Sequence, residues 1–390
     1  MNTMIRVLHF AGIINRHDFI DEVLSRLDRD RFEISALSGV PARRQGPYEN
    51  GSEYAKRTLN LEPRPGNYRK LLLSVVREIR TFRPHILQAH HYHEAVIAAL
   101  AVRMTPVPHF VIGHHYSDHI YYLTRGLKRM ALLKLEMFCN GTASHIVVPT
   151  NAVANILTER QGVPKHKISV IPYGLDLTQF QPSSPGTASR LRREQGLEGK
   201  YVILTCCRLS KEKGLEYLLR AMPELRARNV DTRLLVLGSG AEEQALKDLS
   251  ASLGLGNVIR FLGWRDDAID WMAAADLVVQ PSLCESYCQV LVEALALGKP
   301  VIMTPVGIAP DVIGKDERGR LVPPGDARAL ASAIAEVMAS PGKGAGLAQL
   351  GASYVRKNLT ANMAAHRYSS LYESLVGGLQ EGSGGAARRA

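Results

Sequence analysis

Short apolar runs alternate with amphipathic segments along the first 175 residues of the chain. The runs have the length of buried strands, and the segments between them repeat apolar residues at a helical period. Strands are predicted at Ile5 to Phe10, Phe32 to Leu37, His85 to Ala89, His109 to Ile112, His145 to Val148 and Ile168 to Ile171. Helices are predicted at Tyr68 to Phe82, Ala95 to Met104, Leu123 to Phe138 and Ala152 to Gln161. This alternation is typical of a parallel sheet that is covered on both faces.

A polar segment, Gln181 to Ser189, follows and is rich in proline and serine, so it is the predicted linker. The alternation then restarts, with strands predicted at Tyr201 to Cys206, Arg233 to Leu237, Val258 to Leu262, Leu277 to Gln280 and Val301 to Thr304. Helices are predicted at Leu215 to Arg228, Glu242 to Leu253 and Gln289 to Leu297. The pattern predicts two doubly wound, Rossmann-like α/β domains that face each other across a cleft.

Composition is that of a soluble globular protein, with 46% hydrophobic and 22% charged residues among 390. The sequence has no apolar run long enough to span a bilayer and no signal-peptide cleavage pattern, so a cytoplasmic protein is predicted. Its five cysteines contain no C-x-x-C pair. A disulfide framework and a cysteine metal site are therefore not indicated.

The net charge of +11 favours polyanionic partners. No nucleic-acid-binding motif is present, which leaves phosphorylated ligands and an anionic membrane surface. Two basic amphipathic segments, Arg69 to Arg80 and Leu123 to Phe138, have the pattern of membrane-surface helices. The favoured interpretation is a helix packed on the core with a solvated face, and membrane contact stays open.

Two carboxylates follow a predicted strand of the second half. Glu285 lies in the loop at the carboxyl end of that strand, and Glu293 lies about two helical turns further on, in the next helix. Ligands bind at this edge of an open α/β sheet, so the carboxylates are expected to contact opposite ends of one ligand. Arg208 and Lys213 follow the first strand of this half, beside a helix start, where two cations suit a diphosphate. A solvated basic turn is the alternative.

Glycines and histidines mark further candidate loops. Gly12 follows the first strand, and Gly238 and Gly240 follow a strand of the second half; each permits close approach of a ligand or only a tight turn. His114 and His115 follow the fourth strand, where an imidazole can bond a sugar hydroxyl or a phosphate, or act as a base. A second cluster, His90-His-Tyr-His93, has no acidic or thiol partner at ligand spacing, so no metal site is predicted.

With these residues in view, the chain resembles the retaining glycosyltransferases of family 4, which have the GT-B fold. The resemblance is specific over about Ile168 to Ala335 and looser in the first half. It depends on blocks that occur in a fixed order: Ile171-Pro-Tyr-Gly-Leu-Asp176, Arg208-Leu-Ser-Lys-Glu-Lys-Gly214, Leu237-Gly-Ser-Gly240, Glu285 to Glu293, Gly298-Lys-Pro-Val301 and Leu321-Val-Pro-Pro-Gly-Asp326.

The resemblance implies a nucleotide-sugar donor, UDP- or GDP-linked, with no metal or other cofactor required. It implies that Glu285 contacts the donor sugar, that Glu293 contacts the ribose, and that Arg208 and Lys213 hold the diphosphate. His115 matches the first-domain histidine near the reacting sugar, with His114 as the alternative. The implied catalytic set is thus His115, Glu285, Arg208 and Lys213. The implied donor-binding residues also include Gly12, His114, Gly238, Gly240, Ser286, Tyr287, Cys288, Gln289, Val290 and Glu293.

The resemblance also implies a domain organisation. An acceptor-side domain would cover residues 1–175 together with a helix at about 360–376 that crosses back to it. A nucleotide-sugar domain would cover residues 176–358, and residues 381–390 are predicted to be a disordered tail. Cys288 stands where the family has a glycine. This substitution is expected to alter which donor sugar the protein accepts.

The predicted function is transfer of a hexose-type sugar to a hydroxyl of a saccharide or a lipid-linked saccharide, in polysaccharide or envelope glycan synthesis. Two alternatives stay open: a nucleotide-sugar epimerase of the same architecture, and a nucleotide-sugar-binding protein without turnover. The joint presence of Arg208, Lys213, Glu285 and Glu293 favours an enzyme. The expected location is the cytoplasm, with peripheral contact to the inner face of the membrane left open.

Overall fold

A computed structural model describes residues 4–14, 18–41, 54–115, 120, 124–227 and 231–386. The chain divides into two α/β units. The first unit comprises Met1–Asp176 together with Thr360–Ala390, and the second comprises Leu177–Leu359. None of the helices in the described part of the chain combines the length and apolarity needed to cross a bilayer.

The first unit is built on a seven-stranded parallel sheet in the order β3-β2-β1-β4-β5-β6-β7. Its strands are β1 Ile5–Ala11, β2 Phe32–Ser38, β3 Ala55–Thr58, β4 Ile86–His90, β5 His109–Gly113, β6 His145–Val148 and β7 Ile168–Val170. The strand order reverses between β1 and β4. In open α/β sheets this switch point, at the carboxyl ends of the strands, is where ligands bind.

Helices cover both faces of this sheet because alternate strand residues are apolar on each side. Leu8 packs into the core on one face and Val7 into the core on the other. The helices before the chain leaves this unit are α1 Phe19–Leu24, α2 Tyr68–Phe82, α3 Tyr92–Met104, α4 Gly126–Thr142 and α5 Asn151–Asn155. A turn of π-helix, Ile156–Arg160, extends α5.

The second unit has a six-stranded sheet in the order β10-β9-β8-β11-β12-β13, all parallel. Its strands are β8 Tyr201–Cys206, β9 Thr232–Leu237, β10 Ile259–Gly263, β11 Leu277–Gln280, β12 Val301–Met303 and β13 Arg320–Leu321. Its helices are α6 Thr187–Glu194, α7 Leu215–Ala227, α8 Glu243–Ser252, α9 Ala268–Ala274, α10 Gln289–Ala296, α11 Ala309–Ile313, α12 Ala327–Ala339 and α13 Pro341–Asn358. Its switch point lies between β8 and β11.

The last helix, α14 Ala361–Ala386, belongs to the first unit. Its start is held by the backbone of the segment after β7, because the Ala361 N–H donates to the Leu175 carbonyl at 2.9 Å. Gly174 permits this approach, since a Cβ there would lie 2.4 Å from the Ala361 Cα. The helix continues through 381–386, within the segment for which disorder is predicted, and 387–390 lie outside the described residues.

The predicted fold class of two doubly wound α/β domains is confirmed. The edge strands β3 and β13 were not predicted. The predicted linker 181–189 lies within the second unit, after the division at Asp176, and its residues 181–186 are exposed. Ser183 anchors it by donating from its backbone N–H and its hydroxyl to Asp270, with the N–H at 2.8 Å. The Ser184 hydroxyl lies 2.9 Å from that of Thr187, and the N-cap of α6 is Gly186. The turn-like composition therefore marks the approach to α6 and not the division between the units.

Candidate functional site

Lys213 and Glu285 meet at the switch point of the second sheet. Lys213 ends a 3-10 turn after β8, and Glu285 lies in the loop after β11. The Lys213 Nζ is 2.7 Å from the Glu285 Oε1, and the two side chains are 20% and 11% exposed. Burial lowers the pKa of Lys213, but the Glu285 carboxylate outweighs burial and the pKa lies above its ordinary value. Lys213 is therefore a firmly charged ammonium.

A row of buried polar side chains fixes the Glu285 carboxylate from behind. The Ser282 hydroxyl donates to Glu285 Oε1 at 2.8 Å, and Gln280 Nε2 donates to that hydroxyl at 3.1 Å. The Thr205 hydroxyl in turn donates to Gln280 Oε1 at 3.2 Å. Thr205, Gln280 and Ser282 are almost fully buried. Such a satisfied network holds the carboxylate in one place.

Arg208 and Glu293 lie on either side of this pair along the chain. Arg208 is exposed, and its guanidinium has no side-chain partner among the described residues. Glu293 accepts a hydrogen bond from Gln289 Nε2 at 2.8 Å through its Oε1. Burial raises the pKa of Glu293, and the bond from Gln289 offsets only part of this. Both side chains therefore have hydrogen-bonding capacity left for a ligand.

The glycines of the loops after β8 and β9 permit these loops to touch. A Cβ on Gly238 would lie 1.9 Å from the Cys207 carbonyl oxygen, and a Cβ on Gly240 would lie 2.2 Å from the Leu209 carbonyl oxygen. Gly214 likewise has φ 61° and would place a Cβ 2.2 Å from the Pro281 carbonyl oxygen. These glycines allow a close approach, which is one of the two roles predicted for Gly238 and Gly240. The group that approaches them is the protein's own backbone.

The loop between Glu285 and α10 is mostly turned inward. The side chains of Tyr287 and Cys288 are buried, whereas Ser286 and Val290 are half-buried and Gln289 is exposed. Cys288 has φ 76° and ψ 69°, the left-handed conformation that favours glycine. Burial raises the pKa of its thiol, with a further contribution from the Glu285 carboxylate, so the sulfur stays protonated. Ligand contacts from Tyr287 and Cys288 would be made by the backbone.

In the first unit, imidazoles form a continuous hydrogen-bonded row. His115 Nδ1 is 2.8 Å from the Tyr173 hydroxyl, and its Nε2 is 2.8 Å from His90 Nδ1. His90 Nε2 is 3.0 Å from His9 Nδ1. His9 Nε2 is 3.3 Å from the Tyr372 hydroxyl, which donates to Gln88 Oε1 at 2.7 Å. Strands β1, β4 and β5, the segment after β7, and α14 each contribute to this row.

The amide at the end of this row determines every tautomer in it. In this structure the Gln88 Oε1 faces the Tyr372 hydroxyl and accepts its single proton, from which we infer that His9 donates from Nε2 and accepts at Nδ1. By the same reasoning His90 donates from Nε2 to His9, and His115 donates from Nε2 to His90. The Tyr173 hydroxyl then donates to His115 Nδ1. All three rings are neutral, because burial lowers the pKa of His9 to about 3 and places those of His90 and His115 well below their ordinary value.

The predicted histidines therefore sit in supporting positions. His115 is 8% exposed and both of its ring nitrogens are bonded to protein groups, so a direct contact with a sugar stays a prediction that this geometry does not favour. His114 is 2% exposed, and its Nε2 lies 2.8 Å from Glu136 Oε1. Gly113 makes the row possible, since a Cβ there would lie 2.7 Å from His115 Nε2.

Gly12 faces a carboxylate of the protein. Glu94 on α3 is buried and accepts from the backbone N–H of Gly12, and a Cβ on Gly12 would lie 2.5 Å from Glu94 Oε1. Burial raises the pKa of Glu94 to about 7, and the backbone hydrogen bonds offset part of the shift. The close approach that the glycine permits is thus to Glu94, a residue that the sequence pattern did not single out.

Comparison with known proteins covers both units. The model of glycosyltransferase family 4 matches residues 19–179, and the model of glycosyl transferases group 1 matches residues 188–352. A D-inositol 3-phosphate glycosyltransferase of Rhodococcus jostii is 33% identical over 216 residues, which are 53% of this chain and 47% of that protein. A GDP-mannose-dependent monoacylated alpha-(1-6)-phosphatidylinositol monomannoside mannosyltransferase of Corynebacterium glutamicum is 28% identical over 214 residues, 52% of this chain and 55% of that protein.

The chain spans about half the length of the curated relatives that it matches. Among solved structures, Anabaena Alr3699/HepE in complex with UDP superposes with a TM-score of 0.79 at 21% identity. The match covers 95% of this chain and 100% of that one. At this level of identity the similarity concerns the fold.

Proposed function

The chain belongs to glycosyltransferase family 4, and from this premise we propose that it transfers a sugar, with retention of anomeric configuration, from a UDP- or GDP-sugar to a hydroxyl acceptor. The observation that carries the proposal is the Lys213–Glu285 pair at the switch point of the second sheet. A charged ammonium and a fixed carboxylate at that edge match the two ends of a sugar diphosphate: the phosphates and the sugar hydroxyls.

The pair has bonding capacity for both tasks at once. An ammonium has three protons, so Lys213 can keep its bond to Glu285 and donate to a phosphate oxygen. Glu285 uses Oε1 for Lys213 and Ser282, while Oε2 has no hydrogen bond among the described residues and would accept from a donor sugar hydroxyl. Arg208 would add a second cation to the diphosphate, which stabilises the negative charge that develops as it leaves.

Glu293 would accept from the ribose hydroxyls of the donor. Its Oε1 is held by Gln289, and the Oε2 has no hydrogen bond among the described residues. A ribose presents two neighbouring hydroxyl donors, and a carboxylate can accept from both. The proposed donor half-site therefore consists of Arg208, Lys213, Glu285 and Glu293, all in the second unit.

A thermal-shift panel of UDP, GDP, ADP and their sugars tests donor binding first. Ligand at a hundredfold excess over its Kd stabilises a folded protein by about 2.7 kcal/mol. The wild type should respond to one nucleotide family, and Glu285→Gln should keep the response to the nucleotide while losing the added response to its sugar. A panel without any shift in the wild type would overturn the proposal.

Turnover is tested by incubation with the selected donor and an acceptor, followed by NMR of the product anomer. Glu285→Ala should reduce transfer by about 10-fold to 150-fold, the loss of a charge-assisted hydrogen bond of roughly 1.5–3 kcal/mol. Incubation with the donor alone separates transfer from epimerisation, because an epimerase would alter the sugar without an acceptor. A product with inverted configuration would contradict the retaining mechanism.

For the acceptor we propose a saccharide or a lipid-linked saccharide at the cytoplasmic face of a membrane. The support comes from α4, which exposes Leu127 (79%), Met130 (49%) and Met137 (50%). Lys128 and Lys134 are exposed on the same helix and have no acidic partner among the described residues. Apolar side chains interleaved with unpaired cations fit an anionic lipid surface.

Vesicle sedimentation tests this surface. The wild type should bind vesicles of phosphatidylglycerol and phosphatidylcholine at low salt and dissociate as salt rises. A variant with Lys128→Glu and Lys134→Glu should lose most of this binding. Lys211→Glu together with Lys343→Glu, on the second unit, makes the same charge change as a control. Equal binding by both double variants would contradict the assignment to α4.

A further inference from the structure

We propose that His91 is the residue through which the first unit binds a hydroxyl of the acceptor, and that His115 supports it from behind. The inference rests on the proposed transferase function and deepens it. The family resemblance indicates His115, which follows β5, as the ligand contact of this unit. We assign that contact to His91, which follows β4.

His91 lies at the switch point of the first sheet. It directly follows β4, and the strand order of the first unit reverses between β1 and β4. His91 thus stands at the switch point, the place where open α/β sheets bind ligands. In the second unit the equivalent loops, after β8 and β11, carry Lys213 and Glu285. His115 follows β5, one strand away from the switch point.

His91 differs from the neighbouring histidines in the hydrogen bonding of its ring. His90, His114 and His115 are buried, and each bonds a protein group through a ring nitrogen. His91 is exposed, and neither of its ring nitrogens has a hydrogen-bond partner in the described part of the chain. Its ring lies 5.0 Å from that of His115 at 60°, so the fixed row beneath it limits its movement. A supported, accessible imidazole is suited to bind a ligand.

The backbone of His91 is strained. It has φ 68° and ψ 177°, a region that is almost restricted to glycine, and its N–H donates to the Gly113 carbonyl at 3.2 Å. A histidine here is less favourable for folding than a glycine. The imidazole is therefore retained at a cost in backbone strain, which is typical of residues with a functional role.

An imidazole at this position suits the hydroxyl acceptor of the proposed transfer. Surrounding protein lowers the pKa of His91 to about 4, with a smaller contribution from His114. The ring is neutral at pH 7, so it offers one N–H donor and one nitrogen acceptor and no charge. Those two groups match an uncharged hydroxyl, which donates and accepts, better than they match a phosphate.

The strained backbone provides an informative variant. His91→Gly removes the imidazole and relieves the positive φ, so the variant should unfold at the same denaturant concentration as the wild type or higher. His91→Asn keeps a donor and an acceptor on the side chain and leaves the positive φ in place, so it separates the loss of the polar group from the relief of backbone strain. Arg83→Gly is the matched control, because Arg83 has φ 49° at the end of α2, away from the switch point.

Kinetics with octyl α-mannoside, octyl β-glucoside and octyl β-galactoside as acceptor probes test the proposal. His91→Gly should lower kcat/KM for the acceptor about tenfold or more, the effect of one lost hydrogen bond. The donor KM and the nucleotide thermal shift should not change, Arg83→Gly should match the wild type, and His91→Asn should recover part of the loss. Unchanged acceptor kinetics in a folded His91→Gly would overturn the proposal.

Histidine NMR separates failure of this inference from failure of the proposed function. The ring ¹⁵N signals of His91 should shift when the octyl glycosides are titrated in, and those of His114 should shift less. A wild type that binds no nucleotide would contradict the transferase function, whatever His91 does. A wild type that transfers sugar while the His91 signals stay unmoved by the accepted glycoside would contradict only the role of His91.

Discussion

The Lys213 ammonium lies 2.7 Å from the Glu285 carboxylate, so the two groups predicted to hold opposite ends of a sugar diphosphate are bonded to each other. Each neutralises the other at a position where burial alone would disfavour both charges. Removal of either partner leaves the other without compensation. The loss of activity in a single variant therefore has a stability component, which has to be measured separately.

A double-mutant cycle measures this coupling. Lys213→Met and Glu285→Gln should each destabilise the protein, and the double variant should lose about 1–3 kcal/mol less than the sum, because no unpaired charge then remains. Urea denaturation of the four proteins provides the free energies of unfolding. The control is the helical pair Lys247–Glu243, 45% and 32% exposed, with an expected coupling below roughly 0.5 kcal/mol. Equal couplings for the two pairs would contradict this account.

Cys288 should tolerate replacement by glycine better than another buried cysteine. Its left-handed backbone costs roughly 1–2 kcal/mol for a residue with a Cβ, and glycine removes that cost. Cys288→Gly should therefore be less destabilising than Cys284→Gly by about 1–2 kcal/mol. Both side chains are buried, and only Cys288 has a positive φ. Urea denaturation of the two variants measures their free energies of unfolding. Equal losses of stability would show that the backbone strain at Cys288 is small.

Glu94 should make stability fall as the pH rises from about 4.5 to 7. Its folded-state pKa of about 7 lies above the ordinary value of 4.5, so the folded state binds more protons than the unfolded state in that window. The shift corresponds to at most roughly 3 kcal/mol. Relative to wild type, Glu94→Gln should gain stability between pH 5 and pH 8, as measured by urea unfolding. A constant difference between the two proteins would contradict the raised pKa.

The imidazole row should show a single pattern of tautomers. Because Gln88 accepts the Tyr372 proton, His9, His90 and His115 should all be neutral with the proton on Nε2 from pH 7 down to pH 5. Selective ¹⁵N-histidine NMR distinguishes the two neutral tautomers and the charged ring. Tyr372→Phe should perturb His9 most, since it removes the acceptor for His9 Nε2–H. Detection of an Nδ1–H ring in the wild type would break the assignment.

Much of the fold was predictable from the sequence because apolar runs of strand length recur with helical segments between them. Strands such as β8 and β11 were located to the residue. The edge strand β3, Ala55–Thr58, carries no such run, since an edge strand is exposed and need not be apolar. The two-residue strand β13 is too short to show any period.

The candidate site was predictable where the chemistry lies close together in sequence. Lys213 and Glu285 each follow a recognisable strand, so their meeting at one edge follows from the topology. The partners of His115 were not predictable, because its row joins His9 on β1 and His90 on β4 to a residue that follows β5. Nor does sequence reveal that His91 rather than His115 is exposed: both follow a strand, and burial depends on what packs above each loop.

The imidazole row also bears on how the first sheet is aligned. His9 belongs to β1 and His90 to β4, and their bond requires the register in which His9 pairs with Gln88. A slip of β4 by one residue would turn His90 to the other face of the sheet. The buried rings of His9 and His115 would then each lose the hydrogen bond to His90. The histidines thus specify the strand alignment that places the β1 and β4 loops side by side, before any substrate is bound.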